Sequence, residues 1–301
     1  MTAVAPWLPN FFIAGVPKAG TSSLHRWLAA HPDAFGSTEK ETCYFADPTS
    51  HLFRPDANIT NELAGYEAFF PVPEDAHPRV IFESTPAYIY QRAALDQIPN
   101  LHTRPKCLFV LREPAEQIHS LFTYFQNNWN YIPAEMTFED FLAAIREGSA
   151  SFSGNELAEN ALSNARYAVH LRPWRERLGP DRFRVVTFDE LRRDPRGLMT
   201  RLAMWLDLDS AFYDSFRFEV ENESYVPRSR LLQRLNIALR ASLPKGATYN
   251  ILRRAYRLLN TTKTARTPDT RDNLAALRAE FLEHNAQLAR DFDLDLSEWS
   301  G

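Results

Sequence analysis

Short apolar runs alternate along the chain with longer stretches in which apolar side chains recur every three or four positions. The short runs predict buried strands, because a strand covered on both faces needs consecutive apolar side chains. The predicted strands are Asn10–Ala14, Arg79–Glu83, Lys106–Leu111 and Arg182–Phe188. The longer stretches predict helices. These are Thr21–Ala30, Ala115–Asn127, Thr137–Glu147, Leu157–Leu178, Pro195–Leu206 and Thr270–Phe292.

Strands that alternate with helices predict an α/β fold, with a mostly parallel central sheet flanked by helices on both faces. One helix start is specified locally, because Thr137 and Asp140 have the spacing of a capping box. No repeat, low-complexity tract or linker interrupts the pattern. The chain is therefore predicted to form a single domain over residues 1–301.

Composition narrows the classes of function. The 301 residues are 45% hydrophobic, enough for a large core, and a net charge of -4 predicts no nucleic-acid partner. Two cysteines, Cys43 and Cys107, predict buried thiols rather than a disulfide framework. The start MTAVAPWLPNFF lacks the features of a signal peptide, and no run is long enough to span a membrane. We therefore expect a reducing, cytoplasmic compartment.

One region differs from the rest of the chain in its charge. Residues Ser224–Pro268 contain ten Lys or Arg and no Asp or Glu, and include two amphipathic stretches, Leu231–Leu239 and Tyr249–Leu259. One interpretation is a solvated helical face whose apolar side covers the core. The alternative is contact with an anionic ligand, an acceptor or a membrane surface, in which case the protein would be peripheral to the membrane.

A candidate ligand loop follows the first predicted strand, within the stretch FIAGVPKAGTSSLHRWL. Backbone N–H groups at the start of the following helix would point at one spot, where the helix dipole favours an anion. Gly15 and Gly20 permit close approach, and Thr21, Ser22 and Ser23 add hydroxyl donors. The loop is not the triphosphate loop GxxxxGK[ST], because Thr21 follows Gly20 and the lysine, Lys18, lies inside the loop. An ordinary strand-turn-helix with an incidental lysine is the alternative.

A second candidate phosphate site follows the strand in KCLFVLREP. Magnesium-dependent nucleoside triphosphatases usually place a carboxylate at the end of a comparable strand, where it holds the metal. Here the strand ends at Arg112, whose guanidinium suits a phosphate group, and Ser120 follows eight residues later. The two sites together predict a ligand phosphorylated at two places, with no metal required.

These motifs resemble those of the sulfotransferases that use 3′-phosphoadenosine 5′-phosphosulfate (PAPS). The segment PKAGTSSL is similar to their 5′-phosphosulfate loop, and LREPAEQIHS to their 3′-phosphate motif. The segments KETCYF, ESTPAY, RYAVHL and VVTFDELRRDP also resemble parts of the family, and KTARTP resembles a loop that closes over PAPS in the carbohydrate branch. The resemblance implies cofactor binding by Lys18, Ala19, Gly20, Thr21, Ser22, Ser23, Arg112, Ser120, Lys263 and Arg266.

The resemblance also implies which residues act on the acceptor. In the heparan sulfate-like branch a glutamate of the acidic segment is the general base, and Glu41 stands at that position; Lys18 would stabilise the departing phosphate. Glu41 as a surface carboxylate paired with Lys40 is the alternative. Glu83 and His170 are candidate substrate-binding residues, with a structural ion pair and a packed ring as their respective alternatives. The heparan 3-O-type enzymes carry a lysine where Ser84 stands.

The predicted function is transfer of a sulfuryl group from PAPS to a hydroxyl or amine of a glycan, glycolipid or natural product. A small-molecule kinase with the same scaffold is an alternative, against which the missing lysine after Gly20 counts. A non-catalytic binder of 3′,5′-bisphosphorylated adenosine is another, and it would need neither Glu41 nor an acceptor pocket. The acceptor and the oligomeric state stay open.

Overall fold

The computed structural model describes residues 6–219, 226–227, 232, 261–262 and 268–300. Most of the basic segment, including Lys263 and Arg266, lies outside the described residues. No described helix combines the length and the hydropathy that a membrane span needs.

Five parallel strands form the central sheet, as the alternating pattern predicted. They are β1 (Phe11–Gly15), β2 (Ala34–Gly36), β3 (Val80–Glu83), β4 (Lys106–Leu111) and β5 (Phe183–Thr187). Their order in the sheet is β2-β3-β1-β4-β5, and every neighbouring pair is parallel. All residues of β1 and β3 are buried, which is why both read as continuous apolar runs. The α/β prediction is confirmed.

The described α-helices agree with most of the predicted ones. They are α1 (Thr21–Ala29), α2 (Arg92–Gln97), α3 (Pro114–Tyr124), α4 (Phe138–Glu147), α5 (Glu156–Glu159), α6 (Ala161–Asn164), α7 (Tyr167–Leu178), α8 (Phe188–Arg193), α9 (Pro195–Trp205) and α10 (Pro268–Phe292). A π-helical turn, Phe125–Trp129, follows α3. The predicted capping box at Thr137 is confirmed, with both reciprocal hydrogen bonds to Asp140 present.

One predicted helix was wrong, and some short elements were not predicted. The continuous helix Leu157–Leu178 is three helices, because the backbone leaves helical geometry at Asn160 and again at Arg166. The edge strand β2 was not predicted at all. It has only three residues, Ala34–Gly36, and a run of that length is too short to show a periodic pattern of apolar side chains.

The chain divides into two compact units that are both discontinuous in sequence. The first contains residues 1–117, 164–222 and 281–301, and it holds the sheet and its apolar core. The second contains residues 118–163 and 223–280, and Phe122, Phe138, Phe141 and Phe152 pack against one another in it. The single-domain organisation stays a prediction.

The strand order makes the crevice beside β1 the natural ligand site of the first unit. From β1 the chain runs to one side of the sheet, through β2 and β3, and then crosses to β4 on the other side. Such a reversal opens a crevice at the carboxyl ends of the two strands. The ends of β1 and β4 carry the two sequence motifs that predicted phosphate binding.

Candidate functional site

A tight loop of five residues, 16–20, joins β1 to α1 at the carboxyl edge of the sheet. Lys18 adopts a left-handed backbone conformation with φ 68°, and so does Gly20 with φ 82°. A Cβ atom at Gly20 would lie 3.0 Å from the ring of Phe188, so glycine meets both the conformational and the steric demand there. The sequence therefore sets the sharp turn that begins α1.

The start of α1 fits an anionic ligand. Among the residues that the structure describes, no side chain caps this helix, whose N-cap is Gly20. The first-turn N–H groups of a helix lack intrahelical acceptors, and the helix dipole places positive potential at them. Thr21 and Ser23 are buried, whereas Ser22 and Lys18 are partly exposed. Lys18 in the loop and Ser22 on α1 are therefore donors that a ligand could reach.

Arg112 brings the second predicted site to the same loop. It follows the last residue of β4, and its Nη1 donates a hydrogen bond to the carbonyl of Lys18 at 3.1 Å. Its Nη2 lies 3.5 Å from Oε2 of Glu116, and its guanidinium stacks 4.9 Å from the centre of the Phe188 ring. The hydroxyl of Tyr167 donates to its backbone carbonyl at 2.8 Å. The guanidinium is thus held beside the loop.

Gln117 supports the loop from α3. Its amide nitrogen donates to the carbonyl of Pro17 at 3.1 Å, and the residue is 1% exposed. Its Oε1 is buried and has no hydrogen-bond partner among the described residues. Gln117 therefore ties α3 to the loop through its donor, whereas its buried acceptor could pair only with a hydrogen-bond donor and not with a phosphate oxygen.

Not all predicted cofactor residues can be placed together. Ala19 is fully buried under the loop and contributes backbone only. Ser120 lies on α3, is 4% exposed and belongs to the second compact unit. Lys263 and Arg266 lie outside the described residues. The first unit alone therefore assembles the predicted residues of the loop with Arg112.

The candidate base, Glu41, lies in an exposed position at the start of the acidic segment. Its Oε1 accepts a hydrogen bond from Nζ of Lys40 at 2.6 Å, and its side chain is 54% exposed. Arg54 donates to its backbone carbonyl at 3.4 Å while also forming a two-pronged ion pair with Glu39. The pair with Lys40 exists, and it leaves the carboxylate accessible to solvent.

The rest of the acidic segment is buried. Cys43 has a left-handed backbone conformation with φ 55°, and burial together with the charge of Glu41 raises the pKa of its thiol to about 12. Cys43 and Cys107 are both free and buried, as predicted. The segment thus turns sharply from an exposed carboxylate into the core.

Glu83, at the end of β3, is fully buried rather than facing an open surface. Its Oε1 accepts hydrogen bonds from the hydroxyls of Thr42, Thr85 and Tyr88 at 2.6–2.7 Å, and its Oε2 accepts one from Tyr66. Burial raises the pKa of the Glu83 carboxyl, while these hydroxyls oppose the shift. The arrangement is a hydroxyl cluster, not the ion pair that sequence reasoning offered as the structural alternative.

A histidine that the sequence reasoning did not single out lies beside this segment. His25, on α1, is 2.8 Å from the hydroxyl of Ser84 through its Nδ1, and its ring packs 4.9 Å from that of Phe82. Burial, and secondly the charge of Lys40, lowers the pKa of His25 to about 3. The imidazole is therefore neutral at pH 7. It does not supply the positive charge that a lysine in place of Ser84 would provide.

His170 lies on α7, where its ring meets that of Tyr90 edge to face at 5.0 Å. The hydroxyl of Tyr90 is buried and has no hydrogen-bond partner among the described residues. This contact matches the packed-ring alternative. A substrate-binding role for His170 stays a prediction.

Gln117, His25, Tyr167 and Phe188 shape the site, yet none was predicted as a site residue. Gln117 left a weak signal, since it is a polar residue beside Ile118 and Leu121 on the apolar side of a helix. The contacts of Tyr167 and Phe188 with Arg112 join residues more than fifty positions apart. No local pattern reports such pairs.

A parallel α/β sheet whose central strand leads through a cationic loop into an uncapped helix is typical of anion-binding proteins. Comparison with protein families then identifies the particular family. The model of the sulfotransferase family matches residues 9–212, so the chain belongs to that family. The assignment made from the sequence is confirmed. Among the residues that the structure describes, no group of His, Cys, Asp and Glu could hold a metal ion.

Individual curated relatives have low sequence identity to this chain. A bifunctional heparan sulfate N-deacetylase/N-sulfotransferase 1 of Caenorhabditis briggsae is 25% identical over 206 residues, which are 67% of this chain and 23% of that protein. A heparan sulfate glucosamine 3-O-sulfotransferase 3A1 of Mus musculus is 28% identical over 209 residues, 69% of this chain and 48% of that protein. The chain thus covers less than half of either relative.

A solved structure shares the fold over nearly the whole chain. The sulfotransferase of Alicyclobacillus acidocaldarius superposes with a TM-score of 0.67 and 22% identity, covering 98% of this chain and 99% of that one. At that identity the likeness shows the common fold.

Proposed function

We propose that the protein transfers a sulfuryl group from PAPS to a hydroxyl or amine of an acceptor. The observation that carries the proposal is the joining of two strand ends, where Arg112 donates to the carbonyl of Lys18 beside the uncapped start of α1. A guanidinium and a helix N-terminus at one loop suit a ligand with phosphate at two places. Membership of the sulfotransferase family supports PAPS as that ligand.

The bound donor would supply an activated sulfuryl group. The chain's own residues would bind it and stabilise charge: Ser22 and the first-turn N–H groups of α1 donate to the 5′ phosphate, and Lys18 stabilises negative charge there as it develops. Arg112 binds the second phosphate. Its contacts with Lys18, Glu116 and Phe188 hold the guanidinium in place before the ligand arrives.

Glu41 is the proposed general base. Its exposed carboxylate is accessible to an acceptor group, and Lys40 donates a hydrogen bond to it at 2.6 Å. Removal of the acceptor proton by Glu41 would raise the nucleophilicity of the acceptor oxygen or nitrogen. The role comes from the match to the glutamate-base branch.

The acceptor class is proposed from the relatives. Both of the named relatives are heparan sulfate enzymes, which favours a glycan over the glycolipid and natural-product alternatives. Ser84, where the 3-O-type enzymes carry lysine, removes one positive charge from the acceptor side. A less anionic sugar than a heparan chain fits that loss.

The test is incubation with ³⁵S-labelled PAPS and a panel of neutral glycans, heparan-type glycans, glycolipids and hydroxylated small molecules. The proposal expects label in at least one acceptor, both with and without a metal chelator. Parallel incubation with γ-³²P-labelled ATP tests the kinase alternative. Binding of the desulfated nucleotide without transfer to any acceptor would favour the non-catalytic binder.

A further inference from the structure

The carboxylate of Glu83 lies at the centre of a two-layer hydrogen-bond network in the core of the first unit. In the inner layer, Oε1 accepts from three hydroxyls: Thr42 at 2.7 Å, Thr85 at 2.6 Å and Tyr88 at 2.7 Å. Three donors on one buried oxygen exceed what a strand-end ion pair would need. Oxygen Oε1 is therefore the common acceptor of three hydroxyls that come from different parts of the chain.

The outer layer consists of three consecutive peptide groups. The backbone N–H of Cys43 donates to the Thr85 hydroxyl at 3.4 Å, that of Tyr44 to the Thr42 hydroxyl at 3.1 Å, and that of Phe45 to the Tyr88 hydroxyl at 3.1 Å. Each hydroxyl thus accepts a hydrogen bond from one peptide and donates one to the same carboxylate oxygen. Oxygen Oε1 is linked in this way to the whole turn 43–45.

This turn needs such support. Cys43 has φ 55°, a conformation that a non-glycine residue adopts only when its surroundings impose it. Its N–H is one of the three that the network holds, and Thr42, next to Glu41, is one of the hydroxyls. The direction in which the chain leaves the core at Glu41 therefore depends on the network.

We infer that Glu83 is a positioning residue for Glu41, acting through the hydroxyls of Thr42, Thr85 and Tyr88. The inference rests on the proposed role of Glu41 as base. Glu83 itself, with both oxygens engaged and no exposed surface, would not contact the acceptor. A small displacement of a catalytic group is enough to reduce turnover strongly.

Four hydroxyls contact Glu83, and one of them provides a matched control. Tyr66 donates to Oε2 and accepts from none of the three peptides, whereas Thr42 and Tyr88 donate to Oε1 and each accept from one peptide. Tyr66→Phe, Thr42→Val and Tyr88→Phe each remove one hydroxyl from the same carboxylate. Only the last two interrupt the path to the turn.

The experiment measures turnover and amide hydrogen exchange for these three variants of the full chain. We expect Thr42→Val and Tyr88→Phe to lower kcat about 10-fold, with the Kd for the desulfated nucleotide unchanged. Exchange should speed up by about fivefold at the amide that each variant releases, Tyr44 in Thr42→Val and Phe45 in Tyr88→Phe. Tyr66→Phe should change neither kcat nor these two amides.

Equal loss of kcat in all three variants would overturn the inference, since it would indicate general destabilisation of the core. Unchanged kcat in both Thr42→Val and Tyr88→Phe would overturn it as well. If the parent protein transfers no label from PAPS, the proposed function fails. The exchange measurement still decides whether the network holds the turn.

Discussion

Arg112 donates a hydrogen bond from its guanidinium to the backbone carbonyl of Lys18, across 3.1 Å and a sequence separation of 94 residues. Lys18 lies in the loop after β1, and Arg112 follows β4, which pairs with β1. The bond fixes the loop and the cation of the proposed second phosphate site relative to each other without a ligand. Binding then needs less ordering of the site than two independent loops would.

The first prediction concerns Arg112. Arg112→Ala should weaken binding of the desulfated nucleotide by about 2–3 kcal/mol, because a charge-assisted contact to phosphate is lost. Isothermal titration calorimetry, with and without Mg²⁺, measures the change. The control is Arg92→Ala, which removes an exposed arginine paired with Asp96 and should leave the affinity unchanged. Unaltered affinity in Arg112→Ala would contradict the assignment.

The second prediction concerns Glu41. Glu41→Gln should lower kcat by about 10²–10⁴ while nucleotide affinity stays unchanged, because the amide cannot accept the acceptor proton. Initial rates of ³⁵S transfer provide the measurement. Glu67→Gln, a neutralisation at another exposed glutamate, should behave as the parent. Turnover of Glu41→Gln close to that of the parent would place the base elsewhere.

The third prediction is the effect of pH on stability through His25. Its pKa falls from the ordinary 6.5 to about 3 in the folded protein, because of burial and then the charge of Lys40. The unfolded chain therefore binds a proton at His25 between about pH 6.5 and 3 that the folded chain does not. The folded state should lose stability as the pH falls through this range.

His25→Gln should make the free energy of unfolding less steeply dependent on pH between 6.5 and 4, as measured by urea denaturation. The matched variant is His102→Gln, at an exposed histidine, and its pH dependence should follow the parent. An NMR titration showing that His25 protonates at its ordinary pKa in the folded protein would contradict the explanation.

The fourth prediction tests the capping box of α4. Thr137→Ala removes a side chain that accepts from the N–H of Asp140, and it should destabilise the protein by about 1 kcal/mol. Thr137→Ser keeps the hydroxyl and should lie much closer to the parent. The midpoint of urea denaturation reports both, and equal midpoints for the two variants would rule out the cap as the cause.

Local sequence determined the parts of the protein that local chemistry specifies. Apolar runs predicted four of the five strands, and three of these, β1, β3 and β4, are buried along nearly their whole length, which gives a strand a distinctive composition. The turn between β1 and α1 could be predicted from its glycines, since Gly20 occupies a left-handed conformation. The capping box at Thr137 was equally local. Motif resemblance gave the family, which the comparison with known families confirmed.

Tertiary structure decided what depends on residues far apart in the chain. The place of Arg112 against Lys18 follows from strand order, and Glu83 acquires its hydroxyls from Thr42, Tyr66, Thr85 and Tyr88 only when β3 and the acidic segment pack together. The sequence showed two carboxylates, Glu41 and Glu83, as candidates for the acceptor side. Burial separated them: Glu41 is exposed, and Glu83 is surrounded by hydroxyls in the core. Periodicity reports which face of an element is apolar, whereas burial of a strand-end residue depends on what folds over it.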